Sequence, residues 1–420
     1  MTKTKSYDWI VVGGGIAGIS VAEILTREGH SVALIEKNKK LASVATKEFH
    51  EWVHTGSLYT LVKDQMKTLK YILGSLDDLF EFYSCFENMN IVPTESGIRI
   101  NQNGDGWFNE NYINFKYRLK DRKIFFNWIY SIARSIVLIE GIKKHDWLRR
   151  RAGIIDSLKS EYYLPILKSF FKIIFSNEKF YKIESTDFTT NSRYLLKDLL
   201  ATSINNGLVI FTENELLSLE HVNNEIVAVC KNDKIIGKKI VICTGGNIER
   251  FTEQKIKKTL APIAVVRNIP EETKSFVELD YFKQNCINII TKGSSYGVIG
   301  GISLSKSDDV DKYFEYLINE HKKANPKIEI LKKYVGIKNE IISKYEERNY
   351  IFHIKKDKFK ENVWSIIPGK FTLAFSIAPE FYRLIYKKNP KKFFKTNIRY
   401  ESLNDIIDET IWEETQSKNN

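Results

Sequence analysis

A glycine-rich turn after an apolar strand is the first part of the chain with the residue types for ligand chemistry. Gly13, Gly15 and Gly18 form a G-x-G-x-x-G motif directly after the apolar run 9–12. Gly13 permits a tight turn, Gly15 lets a pyrophosphate approach the backbone, and Gly18 lets the next helix pack closely on the strand. The N–H groups and dipole of that helix would hold the phosphate charge.

The residues after the glycines have the pattern of a helix and a second strand that ends in an acid. Apolar residues recur on one helical face from Ile16 to Leu25, and Gly29 is suited to end the helix. The strand Ser31 to Ile35 leads into Glu36, where a carboxylate can accept hydrogen bonds from ribose hydroxyls. The order of these parts predicts a dinucleotide site, and an acid at position 36 argues against a 2′-phosphate. The alternative is a structural βαβ turn that happens to be rich in glycine.

Residues 50–59 hold a second group of reactive side chains, including His50 and His54. His54 is the candidate catalytic residue because it precedes Thr55-Gly56, and Gly56 would let a flat ring approach the backbone. The alternative is a hydrogen-bonded structural histidine. Upstream, Ser43 and Thr46 could donate to a phosphate or act as turn and capping residues.

Composition limits the classes of protein to which the chain can belong. The chain has 420 residues, and 43% of them are hydrophobic, which is enough for a sizeable core. Its length indicates two or three domains or one intertwined pair. The net charge of +12 indicates either an anionic partner or a solvated lysine-rich surface, and no nucleic-acid motif accompanies it. The four cysteines lack C-x-x-C or zinc spacing, so we expect no metal and a reduced, cytoplasmic setting. We see no signal peptide or transmembrane run.

The region 116–180 is aromatic and basic, and it has two interpretations. The segment 124–175 could form a surface that contacts the inner face of an anionic membrane. The interpretation we favour is a helical cap on the substrate domain with a solvated basic face.

The second half of the chain alternates strands and glycine turns. A helix at 191–206 and a meander at 215–236, which includes a strand at Ile235-Ile236, precede a strand from Lys239 to Cys243 that runs into Thr244-Gly245-Gly246. Antiparallel strands are expected across 260–305. Near the far end, a strand at 364–367 leads into Pro368–Thr372 and a helix at 373–386.

Four blocks in this order resemble the D-amino-acid-oxidase-like (DAO) superfamily of FAD-dependent oxidoreductases. They are the strand–glycine–helix block 11–36, EWVHTGSLY at 51–59, the meander leading to IVICTGG at 240–246, and PGKFT at 368–372. The second block looks like the histidine segment of the glycerol-3-phosphate and L-2-hydroxyglutarate dehydrogenase branch.

The resemblance implies an α/β fold in which a discontinuous, Rossmann-like FAD-binding domain accompanies a second, α+β domain. The FAD-binding domain would comprise 1–80, 185–255 and 360–420. The substrate or cap domain, with an antiparallel sheet, would comprise 81–184 and 256–359. The implied cofactor-binding residues are Gly13, Gly15, Ile16, Ala17, Gly18, Glu36, Lys37, Ser43, Thr46, Leu216, Thr244, Gly245, Gly369, Lys370, Phe371 and Thr372.

The implied function is oxidation of a C–N or C–O bond in a small amino acid, amine or hydroxy acid, with hydride transfer to flavin N5 and reoxidation by oxygen or quinone. His54 would act as general base for a hydroxyl substrate. The sequence offers no clear counterpart of an arginine that clamps a substrate carboxylate; Arg267, Arg348 and Arg383 are candidates. The alternatives are a membrane-peripheral, quinone-linked dehydrogenase and a non-catalytic flavin-binding protein.

Overall fold

The computed structural model describes residues 6–55, 59, 67–94, 97–100, 106–109, 113–118, 180–185, 187–280, 285–293, 295–341, 351–392 and 403–419. Gly56, Arg348 and the segment 124–175 therefore lie outside the described residues, and the predictions made for them stay predictions.

The described strands, in chain order, are β1 (Ser6–Val12), β2 (Val32–Ile35), β3 (Trp52–Val53), β4 (Ile91–Thr94), β5 (Gly97–Ile100), β6 (Phe108–Asn109), β7 (Ile113–Arg118), β8 (Phe180–Ser185), β9 (Phe188–Thr190), β10 (Val209–Phe211), β11 (Leu216–Val222), β12 (Glu225–Cys230), β13 (Lys234–Ile242), β14 (Ile256–Arg267), β15 (Phe276–Asp280), β16 (Asn285–Gly293), β17 (Tyr296–Gly301), β18 (Glu329–Ile341), β19 (His353–Lys356) and β20 (Val363–Ile367). The described α-helices are α1 (Ile16–Arg27), α2 (Ala45–Glu48), α3 (Lys67–Phe82), α4 (Ser192–Asn205), α5 (Val310–Ala324), α6 (Ala374–Tyr386) and α7 (Ile411–Asn419), with short 3₁₀ turns at Gly245–Arg250, Ser307–Asp309 and Phe371–Leu373.

An eight-stranded mixed sheet forms one layer of the fold. Its order is β10-β2-β1-β13-β12-β11, with β20 beside β13 and β19 beside β20. Strands β10, β2, β1, β13 and β20 are parallel to their neighbours in this set. Val12 is in register with Ile35 on one side and Ile242 on the other. The turns that follow these three strands therefore meet at one edge of the sheet, where ligands bind in open α/β folds.

Strand β13 corrects one expectation from the sequence. Ile235-Ile236 and Lys239 to Cys243 were expected as two strands, but Lys234–Ile242 is one continuous strand. Its first half pairs with β12 and its second half with β20, while β1 pairs along both halves. Gly237 sits in the middle because an added Cβ would lie 2.7 Å from Cγ1 of Ile10.

A seven-stranded sheet forms a second layer, in the order β18-β14-β17-β16-β15-β7-β8. Strands β14 and β18 are distant in the chain and form a long antiparallel pair, matched from Ile256↔Ile341 to Arg267↔Glu329. Helix α5 packs on β14 and β17 through Phe314 and Leu317. The antiparallel strands expected at 260–305 are present, and β15 also pairs in parallel with β7. The predicted α/β class with a second, largely antiparallel sheet is confirmed.

Helices cover the first sheet and complete the main core. Helix α1 is buried along its whole length and contacts α4 and α6. Trp9 of β1 is fully buried, packs edge-on against Phe381 of α6 and donates from its indole N–H to the Tyr386 hydroxyl at 2.9 Å. None of the helices in the described ranges is long and apolar enough to cross a membrane.

Candidate functional site

The turn after β1 requires glycine at its first position. Gly13 has φ +108°, and an added Cβ would lie 2.6 Å from the carbonyl oxygen of Cys243. The Cys243 N–H donates to the Val12 carbonyl at 2.7 Å, so the end of β13 is fixed against this turn. The backbone of the two predicted cofactor segments is therefore in direct contact.

The start of α1 is built for close approach. An added Cβ on Gly18 would lie 1.8 Å from the Gly13 carbonyl oxygen, so helix and turn pack without room for a side chain. Gly15 caps the helix with no side-chain hydrogen bond. The Ile16 N–H donates to the Thr46 hydroxyl at 3.2 Å, and Ile16 and Ala17 are buried. A polar oxygen thus already lies where a phosphate oxygen would be bound by a helix N-terminus.

Glu36 closes the other side of the glycine turn. Its carboxylate accepts from the Gly14 N–H at 2.8 Å and from the Asn38 N–H at 2.9 Å. A carboxylate has about four acceptor positions, so two remain for ribose hydroxyls. Lys37 is exposed beside it. The Asn214 N–H donates to the Glu36 carbonyl at 3.0 Å, which brings the chain that leads into Leu216 alongside this acid.

Ser43 and Thr46 have different surroundings. The Ser43 hydroxyl donates to the Lys40 carbonyl at 2.5 Å and so stabilises the turn after β2. Thr46 faces the start of α1, where its hydroxyl lies 3.4 Å from the position of an added Cβ on Gly15. Thr46 is accordingly the better placed of the two for a phosphate.

The turn after β13 carries a buried hydroxyl. Thr244 Oγ1 has no hydrogen-bond partner among the described residues, and neither has Oδ1 of Asn339 on β18. Gly245 has φ +53°, and an added Cβ would lie 3.6 Å from Nδ2 of Asn339. Buried polar groups in native proteins nearly always have partners, so these atoms fit a site that binds a polar ligand.

The turn after β20 brings the far end of the chain to the same region. Gly369 has φ +67°, and an added Cβ would lie 2.5 Å from the Ile351 carbonyl oxygen. Phe371 begins a 3₁₀ turn, and the Lys370 ammonium lies 4.9 Å from the centre of the Tyr59 ring. Thr372 is fully buried, and its hydroxyl accepts from the His54 N–H at 2.8 Å. The structure thus joins His54 to the predicted flavin-side turn.

His54 is held by a carboxylate that sequence reasoning missed. Its Nδ1 lies 3.1 Å from Oδ2 of Asp187, a fully buried residue just before β9. The same carboxylate accepts from Trp52 Nε1 at 3.0 Å and from the backbone N–H and hydroxyl of Thr55 at 2.8 Å each. The His54 ring also contacts Tyr59, with 4.9 Å between ring centres. No pattern in the segment ESTDFTTN around Asp187 marks it, because the contact joins residues 133 positions apart.

Burial and charge keep the His54 ring neutral. Burial lowers the pKa of His54, and the Asp187 carboxylate opposes that shift in part. The positive charges of Lys370 and Lys338 lower the His54 pKa further. Burial acts to raise the pKa of Asp187, but hydrogen bonds from His54 and Thr55 outweigh it and the pKa falls below its ordinary value. At pH 7 the pair is therefore a neutral imidazole beside an ionised carboxylate.

His50 lies against the second sheet. Its Nε2 is buried without a hydrogen-bond partner among the described residues, and an added Cβ on Gly300 of β17 would lie 2.6 Å from it. Burial, with the charges of Lys338 and Lys292, lowers the pKa of His50 to about 3. The neighbouring Glu51 and Lys292 form a buried ion pair at 2.5 Å.

The candidate arginines for a carboxylate clamp are engaged elsewhere. Arg267 pairs with Glu329 at 2.7 Å on a half-exposed edge of the second sheet. Arg383 pairs with the buried carboxylate of Asp78 and with Glu380 on α6. Positive charge near His54 comes instead from Lys338 and Lys370, which the sequence does not distinguish from its many other lysines.

Known proteins are similar to this chain in part of its sequence and in its fold. Residues 8–98 match the sequence model of the DAO family, described as FAD dependent oxidoreductase. No curated protein matches the sequence. The fold is similar to glycine oxidase from Geobacillus kaustophilus (13% identity, TM-score 0.61, 95% of this chain and 98% of that one). It is also similar to FAD-bound L-α-glycerophosphate oxidase from Mycoplasma pneumoniae (17% identity, TM-score 0.63, 94% and 99%) and to L-amino acid deaminase from Proteus vulgaris with its specific insertion deleted (14%, 0.59, 92% and 91%).

These similarities and the site agree on the cofactor. Gly13, Gly15, Glu36 and Thr46 are predicted to form a cradle for the ADP half of FAD, and the buried hydroxyl of Thr244 has no hydrogen-bond partner among the described residues. The match of residues 8–98 to this family model supports the predicted FAD cofactor and the predicted oxidoreductase class. The individual binding residues, and the nearest branch within the superfamily, stay predictions.

Proposed function

We propose that this FAD-dependent oxidoreductase of the DAO type oxidises the C–O bond of a small hydroxy compound that carries an anionic group. FAD, when bound, supplies the acceptor for the hydride that leaves the substrate carbon. His54 takes the hydroxyl proton at Nε2. The observation that carries the proposal is the state of this ring: it is buried, neutral and tied to the turn 369–372 through Thr372.

A neutral imidazole is the form that a hydroxyl substrate needs. Proton transfer to a positioned base contributes about 10²–10⁴-fold to such reactions. The Nδ1 atom of His54 is occupied by Asp187, and Nε2 makes no hydrogen bond with the described residues. Nε2 is therefore the acceptor that remains. An amine substrate that binds in its neutral form needs no such base, so the arrangement favours oxidation of an alcohol.

Lysines support an anionic group on the substrate. Lys338 and Lys370 are the two cations that lower the pKa of His54 by charge. The positive field of these two lysines disfavours protonation of the His54 ring and favours an anionic group beside it. A hydroxy acid or a phosphorylated alcohol would satisfy this field, and L-α-glycerophosphate is the natural first probe.

The test is anaerobic reduction of the bound flavin, which is measured as the decrease in flavin absorbance. The panel contains L-α-glycerophosphate, L-lactate, L-2-hydroxyglutarate, glycine and L-proline. We expect bleaching by a hydroxy compound and a decrease of about 100-fold or more in its rate in His54→Gln. His221→Gln, an exposed histidine on β11, is the matched control and should keep the wild-type rate.

Two results would contradict the proposal. Fast bleaching by a hydroxy compound in His54→Gln would remove His54 from the base role. Bleaching by glycine or L-proline alone, with little dependence on His54, would show oxidation of a C–N bond in place of a C–O bond.

A further inference from the structure

We propose that Asp187 is the positioning residue of the reaction: it holds His54 in the tautomer whose proton is on Nδ1 and leaves Nε2 as the acceptor. The inference concerns the protonation of the ring, and its use in catalysis rests on the proposed function. Asp187 Oδ2 lies 3.1 Å from Nδ1 of the His54 ring, and contacts with Trp52 and Tyr59 restrict the rotation of that ring.

Hydrogen-bond donors lie against both oxygens of the Asp187 carboxylate. Oδ1 accepts from the N–H and the hydroxyl of Thr55, and Oδ2 accepts from Trp52 Nε1. Every one of these neighbours donates. The carboxylate has a lowered pKa and is ionised, so it has no proton to give to the ring. Nδ1 must therefore carry the hydrogen of the His54–Asp187 bond, and Nε2 must carry the lone pair.

A neutral amide at position 187 would change which nitrogen of the His54 ring carries the proton. In Asp187→Asn the amide oxygen can keep the two Thr55 hydrogen bonds, but the NH₂ group would then face Nδ1 and the Trp52 indole N–H. A ring opposite a donor adopts the tautomer with its proton on Nε2, which cannot accept a proton from a substrate. The substitution preserves volume and puts a donor where Oδ2 accepts, opposite both His54 Nδ1 and the Trp52 indole N–H.

A second buried aspartate in the chain shows what a purely structural role looks like. Asp198 on α4 is fully buried and accepts from the indole N–H of Trp107 and from the Asn88 amide at 3.1 Å. It shares with Asp187 the burial and the tryptophan donor, and its hydrogen bonds to Trp107 and Asn88 involve no imidazole ring. Asp198→Asn is therefore a matched control for the replacement of a buried carboxyl group by an amide.

The decisive measurement is independent of any substrate. The protein contains seven histidines, and ¹⁵N labelling of histidine with long-range ¹H–¹⁵N correlation distinguishes the two neutral tautomers of each ring. His54→Gln assigns the signal by its loss. We expect the Nδ1–H tautomer in the FAD-bound wild type and in Asp198→Asn, and a shift to the Nε2–H tautomer in Asp187→Asn.

The second measurement is the pH dependence of flavin reduction with L-α-glycerophosphate, or with the hydroxy compound that bleaches fastest. Asp187 stabilises the imidazolium, so its neutralisation lowers the pKa of His54. In Asp187→Asn the acid limb of the profile should move to lower pH while the plateau rate falls on the order of 100-fold. A structural defect would lower the plateau and leave the limb in place.

The outcomes separate the two proposals. An Nε2–H tautomer in the wild type, or an unchanged tautomer in Asp187→Asn, overturns the positioning role whatever the substrate is. If Asp187→Asn does not fold, Trp52→Phe removes a competing donor and must retain the Nδ1–H tautomer; loss of that tautomer there also overturns it. The expected tautomers without bleaching by any hydroxy compound would leave Asp187 as assigned and refute the proposed function.

Discussion

Gly15 and Gly18 lack side chains for different physical reasons, and substitution separates them. An added Cβ on Gly18 would lie 1.8 Å from the Gly13 carbonyl oxygen, whereas on Gly15 its nearest neighbour, Thr46 Oγ1, is 3.4 Å away. Gly15 also has φ −80°, which alanine adopts freely. We expect Gly18→Ala to lower the free energy of unfolding by about 2–3 kcal/mol or more through overpacking. Chemical denaturation of the FAD-free proteins measures this.

Gly15→Ala should weaken FAD binding and have little effect on the free energy of unfolding. Its unfolding free energy without FAD should stay near that of the wild type, and its affinity for FAD should fall, because the methyl group would project toward the predicted pyrophosphate position. Equilibrium dialysis against FAD measures the affinity. Unchanged FAD affinity in Gly15→Ala would argue against phosphate binding at this helix start.

His50 should make the protein sensitive to acid. Its folded-state pKa is about 3, below the ordinary value of about 6.5. Between these two pH values the unfolded chain binds the proton and the folded chain does not, so stability falls as pH falls through this window. We expect the wild type to lose on the order of 3 kcal/mol more than His50→Gln between pH 7 and pH 4.

The comparison is made by urea denaturation at saturating FAD. Carboxylates such as Glu51 titrate in both proteins and cancel in the difference. Equal losses of stability in wild type and His50→Gln would show that His50 is protonated in the folded state.

At the scale of elements, the C-terminal segment 403–419 stabilises the segment that carries Thr46. The Leu41 N–H donates to the Ile406 carbonyl at 2.8 Å, and Lys47 pairs with Asp408 at 3.1 Å. Trp412 on α7 donates its indole N–H to Glu51 at 3.0 Å. These contacts lie before and after Ser43 and Thr46, so we expect the segment 403–419 to hold the predicted phosphate-binding residues in place.

Ending the chain at residue 402 should therefore weaken FAD binding. We expect the dissociation constant to rise at least about tenfold, since roughly 1.4 kcal/mol of lost ordering is enough for that change. A chain ending at Gln416 keeps Asp408 and Trp412 and serves as the control. Trp412→Phe should shift the affinity in the same direction by less. Wild-type affinity in the chain that ends at 402 would show that 41–51 holds its conformation unaided.

Local sequence patterns predict some of the helices and strands and miss others. Strand β1, helix α1 and the β20–α6 unit were predictable because each has a local period and a glycine at its turn. Strand β18 was not predicted: EILKKYVGIKNEI is mostly half-exposed and lacks a clean alternation, and its pairing with β14 defines it. Asp187 was missed for the same reason, since contact with His54 depends on how distant segments pack.

For the whole molecule, FAD should act as a bridge between the two ends of the chain. The predicted cradle of Gly13, Glu36 and Thr46 lies near the N-terminus, and the predicted flavin-side turn 369–372 lies near the other end of the sequence. A ligand that binds the folded chain alone stabilises it by about 4 kcal/mol at a concentration 1,000 times its dissociation constant. Removal of FAD should therefore lower the melting temperature, and the decrease should depend on FAD concentration.

ADP distinguishes the contribution of the predicted cradle from that of the predicted flavin-side turn. ADP can fill the cradle and cannot reach the predicted flavin-side turn, so at equal saturation it should protect the melting temperature less than FAD does. The difference should appear as protection of the chain around residues 369–372 from hydrogen exchange, with FAD and not with ADP, because Thr372 links that turn to the His54 backbone. Equal protection of 369–372 by ADP and FAD would remove this turn from the flavin site and leave His54 without its link to the cofactor.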